Sequence, residues 1–408
     1  MLLSVSEARE KLLHLFQPLA SEPVALDEAA GRVLADAVLA PNDLPPFSNS
    51  SMDGFAVRAA DVTTAGARTP VRLQVVADIP AGKPSAVSLQ PGQAARIMTG
   101  APLPSGADTV IPVEATDFNQ RDAGSLAPTH VQIMGAVSAG SYVRPRGEDL
   151  HTGDTVLPAG KVLRPKEIGM LAMLGLAEVR VVRRPRVAVL STGDELLPVG
   201  APPEPGKIYE SNAHTLSALV NEAGASALNL GIASDQADAV RARLDAAVAH
   251  GVDVILSSAG VSVGAYDFVR HVVETHGRLD FWRVNMRPGK PLAFGEYRGV
   301  PFIGLPGNPV STFVGFEVFV RPALCHLLGL PWQRETLRAV LEEGLQSDGR
   351  ESYLRGVVTV REGVRYARLT GHQGSGNHYS LVQANAFIIV PGAVKSLPPG
   401  SEVDIWPL

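Results

Sequence analysis

Several short runs in this chain set charged or hydroxyl side chains beside glycine and proline, where they could hold a ligand. Ser191-Thr192-Gly193-Asp194-Glu195 puts two adjacent carboxylates next to hydroxyls, a set suited to a hard cation such as Mg²⁺ shared with substrate phosphates. The same run could equally be a helix N-cap with acidic first-turn residues. Gly289-Lys290-Pro291 follows Arg287, and Gly304-Leu305-Pro306-Gly307-Asn308-Pro309-Val310-Ser311 precedes an apolar helical pattern. The second run could turn backbone N–H groups at a helix start toward an anion, and both could equally be rigid turns. Gly260-Val261-Ser262-Val263-Gly264 has the spacing of a hydrolase nucleophile elbow. A glycine-rich turn that lets backbone approach a phosphate or ring reads the same way. The hydrolase reading also needs a glycine-rich oxyanion loop earlier in the chain, and no H-G-G-G-type run precedes Ser262. A phosphate-binding G-x-x-x-x-G-K-[S/T] run is excluded because Pro291 follows Gly289-Lys290, and no H-E-x-x-H occurs.

Two further polar runs lie earlier. Asn49-Ser50-Ser51-Met52-Asp53-Gly54-Phe55-Ala56 and Arg144-Pro145-Arg146-Gly147-Glu148-Asp149 each join carboxylate to hydroxyl or guanidinium. That is more polarity than a hinge requires, though either alone is only a polar loop.

The elements that must position these runs follow from hydrophobic period. Residues 1–45 read as helical: Val5, Ala8, Leu12 and Leu15 recur at helical spacing, and Leu26 to Leu39 is alanine-rich. Pro41, Pro45 and Pro46 end that pattern. Val71, Leu73, Val75 and Ile79 then alternate with Arg72, Gln74 and Asp78, which predicts a small β domain over 47–140. Helical character returns at Pro165 to Leu176, so 1–46 and 141–176 are expected to form one discontinuous, helical N-terminal domain around the inserted β domain. Over 177–330, short apolar strands (Val187 to Leu190, Val254 to Leu256) alternate with helices carrying Leu216, Leu219 and Val220, or Val240 and Leu244. That alternation predicts an α/β module with a parallel sheet, whose ligands bind beyond the carboxyl ends of the strands. The segment 331–408 is β again, with Val357 to Val360 and Val364 to Leu369 flanking a turn at Arg361-Glu362-Gly363. The expected fold class is therefore multidomain α/β plus β.

Composition narrows the partners. A chain of 408 residues with 45% hydrophobic and 19% charged residues has ample material for packed cores. A net charge of −5 gives no electrostatic case for nucleic acid. Aromatics at 5% are too few for a carbohydrate or single-strand nucleic-acid surface. The local basic run Arg180, Arg183, Arg184 and Arg186 reads as a solvated strand edge or linker, with an anion site as the alternative. The single cysteine, Cys325, permits no intrachain disulfide and no cysteine-based zinc site. The longest apolar run, Phe313 to Leu330, is interrupted by Glu317, Arg321, Pro322 and His326, and the N-terminus lacks the apolar stretch of a signal peptide. The expectation is a soluble, cytoplasmic protein.

Taken in order along the chain, these strings resemble the molybdopterin molybdenumtransferase family, known as MoeA in bacteria and as the E domain of gephyrin in animals. The resemblance rests on the segment at 51–56, R-I-M-T-G-A-P at 96–102, R-G-E-D at 146–149 and S-T-G-D-E-L at 191–196. It continues through G-V-S-V-G-x-x-D at 260–267, R-P-G-K-P at 287–291, L-P-G-N-P-V-S at 305–311 and G-H-Q-G-S at 371–375.

The resemblance implies a four-domain subunit in a homodimer, and a Mg²⁺-dependent reaction of adenylylated molybdopterin with molybdate that yields molybdenum cofactor and AMP. It implies catalytic roles for Asp53, Thr99, Asp149, Glu195 and Asp267, with Asp194 and Glu195 holding the metal. Substrate binding is implied for Arg144, Asp235, Ser262, Arg283, Arg287 and Lys290, and for Pro306, Pro309, Ser311, Arg355 and Ser375. Asp53 and Asp149 would act across the dimer, and Ser262 would belong to a pterin-binding loop. A separate molybdopterin-adenylating enzyme is a possible partner. Two departures stand out: Ala259 occupies a position commonly glycine, and Arg283 and Arg287 stand where lysine is common. A binding or scaffold role is the competing reading from another class, since an animal relative also clusters receptors. The carboxylates Asp53, Asp194, Glu195 and Asp267 weigh against it.

Overall fold

Runs of residues buried on both faces can form only the interior of a covered sheet, and Val187 through Leu190 and Val254 through Leu256 are all fully buried. They lie in the strands Arg186–Thr192 and Val254–Ser258, two adjacent interior strands of a six-stranded sheet. The structure, a computed structural model, describes residues 2–118, 124–259 and 268–408. In it the chain divides into two compact units. One takes the N-terminal segment to Val24, Gly31–Ala35 and Arg180–Leu408; the other takes Ala25–Ala30 and Asp36–Val179.

In the first unit the sheet order is Ser226–Ala233, Arg186–Thr192, Val254–Ser258, Val300–Leu305, Pro291–Tyr297, Gly277–Arg283. The first four strands are mutually parallel and the last two antiparallel. Helices Asn212–Glu222 and Ala237–Ala249 bury the residues expected of them, Leu216, Leu219 and Val220 on one, Val240 and Leu244 on the other. The carboxyl ends of the four parallel strands lead into the loops carrying Asp194, Asp235, Ala259 and Pro306. That is where a ligand site of such a sheet belongs.

The apolar run expected around residues 313–330 is a continuous helical stretch, Pro309–Leu327, long and apolar enough to cross a membrane but mostly buried inside this unit. Its middle turn, Phe316–Val320, widens to π geometry. Pro322 has no amide to offer Val318, which loosens the α-helical register at that point. Glu317 in that turn is buried and accepts hydrogen bonds from Arg321 (2.7 and 2.8 Å) and Arg334 (2.9 Å). A buried carboxylate without such partners would cost several kcal/mol, roughly 3–5.

The C-terminal part of this unit closes on itself. Strand Glu351–Arg361 pairs with Val364–Leu369 on one side and Ala386–Val390 on the other, and the order runs on through Leu337–Leu341 and Glu402–Pro407 back to Ala386–Val390. Closure leaves this β domain without free edges among those strands. The short strand Met286–Arg287 of the α/β part joins it, Arg287 facing Ser352 in parallel register.

The second unit is built on a five-stranded sheet in the order Thr109–Pro112, Gly54–Val57, Gln93–Ile97, Val71–Ile79, His130–Ile133. Phe55, Val57, Ile111 and Val131 fill one face; Ala56, Ile97 and Val110 fill the other.

One expectation about the N-terminal segment needs correction. Leu26 to Leu39 is not a helix: it holds one 3-10 turn, Leu26–Glu28, and a short strand, Val38–Leu39, paired with Thr155–Leu157. Gly31 at φ +75° and the β-branched Val33 and Val38 override the alanine content. The helix Val5–Leu13 does form, with a Ser4–Glu7 capping box. Its buried face (Val5, Ala8, Leu12), followed by Phe16, joins the core around Phe316 and Phe319 of the first unit. Arg183, in the basic run, makes a bidentate bond to Asp253 (2.7 and 3.0 Å), so that arginine is a structural ion pair.

The strand Gly54–Val57 is held between Gln93–Ile97 and Thr109–Pro112 so closely that a Cβ on Gly54 would lie 2.0 Å from the Ile111 carbonyl oxygen. Gly54→Ala is expected to destabilise the protein by roughly 1–3 kcal/mol, read as a lower denaturant midpoint. An unchanged midpoint would show that the sheet yields at no cost.

Candidate functional site

The loop after strand Arg186–Thr192 turns sharply at Gly193 (φ +146°), where a Cβ would come within 2.3 Å of the Glu195 carboxylate. Glycine is therefore what allows Glu195 to fold back over the loop. Asp194 and Asp235, on neighbouring loops, bind each other reciprocally. The Asp235 N–H donates to Asp194 Oδ1 (3.1 Å), and the Asp194 N–H donates to Asp235 Oδ2 (3.4 Å). Burial, together with the facing charges of Asp194 and Glu195, raises the Asp235 pKa above the ordinary carboxylate value.

Glu195 and Pro309 line a cavity of about 350 Å³ together with Thr192, Tyr209, Asn212 and Ala259. Glu210 lines it too and was not anticipated. It is buried, accepts the Ser191 hydroxyl (2.9 Å) and caps the helix Asn212–Glu222 through the Ala213 N–H (2.7 Å). Its one sequence signal is an acidic residue in Tyr209-Glu210-Ser211-Asn212, just ahead of a helical pattern. The Asn212 side-chain amide donates to the Gly307 carbonyl (2.8 Å), pinning the 304–311 turn against this cavity.

On the other side of that turn lies a second cavity of about 400 Å³. Arg287, Lys290, Pro306, Ser311 and Ser375, all anticipated, line it with Arg350, Gln373 and Asn308, which were not. No Asp or Glu is among its described lining residues. Asn308 donates to the Ser375 hydroxyl (3.0 Å), and the Val310 N–H donates to the Ser375 carbonyl (3.1 Å).

Arg355, anticipated as a substrate-binding residue, is only 1% exposed. Its guanidinium donates to the Gly374 carbonyl (2.9 Å) and the Ser380 hydroxyl (2.9 Å), and its N–H to Gln373 Oε1 (2.9 Å). It thus holds the 371–375 loop from beneath. Burial first, and Arg287 second, lower its pKa to about 10. Arg283 is not among the residues lining either cavity. It ends the edge strand Gly277–Arg283 opposite Pro291, and its carbonyl accepts the Leu3 N–H (3.0 Å). Ser262 and Asp267 fall in 260–267, outside the described residues.

The remaining anticipated residues are in the second unit. Asp53 Oδ1 accepts both the N–H and the hydroxyl of Thr99 (2.7 and 2.8 Å), beside Phe55, Arg96 and Met98 at a cavity of about 700 Å³. Arg144 binds Asp149 and Glu148, and these partners, Asp149 foremost, raise its pKa. The neighbouring Arg146 donates to Asp43, which also accepts the Thr152 N–H and hydroxyl (both 2.9 Å).

All three matches to known sequence families point one way. Residues 3–175 match the MoeA N-terminal region (domain I and II), 188–326 the probable molybdopterin binding domain, and 338–408 the MoeA C-terminal region (domain IV). The chain belongs to the MoeA family. It is 40% identical over 414 residues to molybdopterin molybdenumtransferase 2 of Mycobacterium tuberculosis, with 99% of each chain covered. It is 37% identical over 404 residues to the Bacillus subtilis molybdopterin molybdenumtransferase, covering 98% of this chain and 93% of that one. A solved molybdopterin biosynthesis MoeA protein from Pyrococcus horikoshii superposes with a TM-score of 0.81 at 29% identity, with 100% of both chains covered. MoeA membership over the whole length removes the basis for reading Ser262 as a hydrolase nucleophile.

Two expectations follow from this geometry. Ala259 adopts φ +77°, a left-handed conformation that costs a non-glycine residue roughly 1–2 kcal/mol. Ala259→Gly should raise the thermal midpoint, by up to about 1 kcal/mol once the added freedom of the unfolded glycine is set against that relief. A lowered midpoint would show that the Ala259 methyl makes a needed contact.

Asp43 is held at a pKa of about 2, below the ordinary 3.8, first by the Thr152 backbone N–H, then by the Thr152 hydroxyl and Arg146. A depressed carboxylate stabilises the fold above its unfolded pKa, and loses that contribution as pH falls through its folded one. Asp43→Asn should therefore lower the midpoint at neutral pH. The gap from wild type should close between pH 3.8 and about 2 in a pH series of melts; a constant gap would contradict this.

Proposed function

We propose that this chain inserts molybdenum during molybdenum cofactor biosynthesis: it transfers molybdenum from molybdate to adenylylated molybdopterin and releases AMP, in a Mg²⁺-dependent reaction. The observation that carries the reading is the pairing of two unlike cavities on either side of the 304–311 turn, both touching Asn308. One offers Arg287, Lys290 and Arg350 with no described carboxylate, which suits the molybdate dianion. The other, at the carboxyl ends of the parallel strands, suits the pterin nucleotide. Relatives named molybdopterin molybdenumtransferase, similar over nearly the full length, support the same reading.

Among the described residues no three His, Cys, Asp or Glu side chains form a ready metal site. Mg²⁺ rarely needs one, being held by one or two carboxylates plus water and phosphate oxygens. Asp194, Glu195 and Asp235 crowd together, and burial foremost, with that crowding, raises the Asp235 pKa; a cation relieves such an environment. Asp194 and Glu195 would hold it, and when bound it supplies Lewis-acid stabilisation of the departing AMP phosphate.

The chain's own residues do the rest. Arg287 and Lys290 orient the oxyanion, the Asn308–Ser375 bond fixes the wall between the two substrates, and positioning supplies much of the rate. The reading includes a cytoplasmic homodimer in which Asp53 and Asp149 act on substrate held by the other subunit. A molybdopterin-adenylating enzyme would deliver that substrate.

The test is AMP release from adenylylated molybdopterin with Mg²⁺, with and without molybdate. Molybdate-dependent release, abolished in Glu195→Gln, is the expected result. Tight binding of the pterin nucleotide with no release would overturn the catalytic claim and leave a carrier or scaffold.

A further inference from the structure

Arg350 lines the cationic cavity, yet its guanidinium is largely committed elsewhere. Nε and Nη2 both donate to Asp348 Oδ2 (2.9 and 2.5 Å), and the Arg350 backbone N–H donates to Asp348 Oδ1 (3.1 Å). Nη1 donates to the Met286 carbonyl (3.0 Å), one residue before Arg287. Both oxygens of Asp348 are thus already accepting. Asp348 also feels Arg287: the Arg350 bonds foremost, and Arg287 after them, hold its carboxyl below the ordinary range against the opposing effect of burial. The carboxylate that adjoins this anion pocket through Arg350 is therefore one that Arg350 itself caps.

The chemistry of tetrahedral oxyanions gives this a consequence. Molybdate, tungstate and sulfate at neutral pH carry no proton and accept from every side. Phosphate keeps a proton, and a buried O–H needs an acceptor to avoid a desolvation cost. Two lining residues carry amide oxygens: Gln373 spends its own on the Arg355 N–H, and Asn308 turns its amide N–H to Ser375 Oγ, so no lining side chain offers a charged acceptor.

We infer that Arg350 determines oxyanion specificity by masking Asp348. With the mask in place the charged side chains of the pocket are all donors, which suits an unprotonated dianion. Without it, a free carboxylate beside Arg287 repels the dianion and offers the phosphate proton a charged acceptor. This inference rests on the proposed molybdate site and adds a residue that sets its selectivity.

The experiment is titration calorimetry of the full-length protein with molybdate and with inorganic phosphate at pH 7.5, with thermal midpoints recorded for each variant. In Arg350→Gln, molybdate affinity should fall about tenfold or more, and the molybdate-to-phosphate ratio should narrow by more than that loss. Adding Asp348→Asn to Arg350→Gln should restore the ratio, because the exposed carboxylate is gone. A purely structural role for Arg350 would weaken both anions alike and leave the ratio fixed, which would overturn the inference. Lys290→Gln separates the two levels. If wild type binds molybdate and Lys290→Gln does not, while Arg350→Gln keeps wild-type affinity and ratio, only the masking inference fails. If wild type binds no molybdate, the proposed function fails with it.

Discussion

The turn at 304–311 has backbone groups that nothing within its own helix can satisfy, and the way they are satisfied fixes the site. The first N–H groups of any helix lack intrahelical partners. Here Pro309 has none to lose, and Val310 gives its N–H to the Ser375 carbonyl (3.1 Å), a residue of the C-terminal β domain. Asn308 adds its amide to the Ser375 hydroxyl, and Thr312 returns its hydroxyl to the Pro306 and Asn308 carbonyls (2.5 and 3.1 Å). Gly307 is tied on the opposite side through Asn212. One turn is therefore bonded to a helix of the α/β part and to a loop of the β domain at once. Both cavities exist as separate spaces because that turn stands between them.

Charge is sorted across this wall. Asp194, Glu195, Asp235 and Glu210 gather on the side of the strand ends, and Arg287, Lys290 and Arg350 on the other. Mixing them would let each cation pair internally and cancel the field that a substrate is meant to feel. The exception, Asp348, is the carboxylate tied back by Arg350. Burial first, and the facing charges of Asp194 and Glu195 after it, raise the Asp235 pKa, and a carboxylate so perturbed is a common mark of a functional site.

Much of this was legible in the sequence, for identifiable reasons. Strand positions followed from runs such as Val187 to Leu190, and the loops at their carboxyl ends then had to be where Asp194 and Pro306 lie. The alternation from Val71 to Ile79 likewise read directly as a strand. What failed was packing that depends on the rest of the chain. The alanine-rich Leu26 to Leu39 carries helix propensity, but Gly31 and strand pairing with Thr155–Leu157 prevail. The partner of Val5–Leu13 lies three hundred residues away around Phe316 and Phe319, and a helical stripe does not say what it will meet. Arg350 and Glu210 escaped notice because neither sits in a glycine-rich run. Their roles come from a carbonyl or a hydroxyl brought near by the fold.

Arg355 shows how a buried motif residue can act on a pocket through the loop it holds. A buried guanidinium with neutral acceptors is costly, since carbonyl and hydroxyl dipoles offset less of the lost hydration than a carboxylate would. Here its guanidinium bonds go to the Gly374 carbonyl and the Ser380 hydroxyl, and its pKa falls to about 10. Even so lowered, it remains charged at neutral pH. A carboxylate partner would make the fold more comfortable and the pocket less positive. By anchoring the 371–375 loop through neutral groups, Arg355 leaves its charge uncancelled directly beneath Gln373 and Ser375, where it adds to the field of Arg287 and Lys290. The same interaction that shapes the loop thus strengthens the attraction for a dianion, and removing the charge would loosen both together.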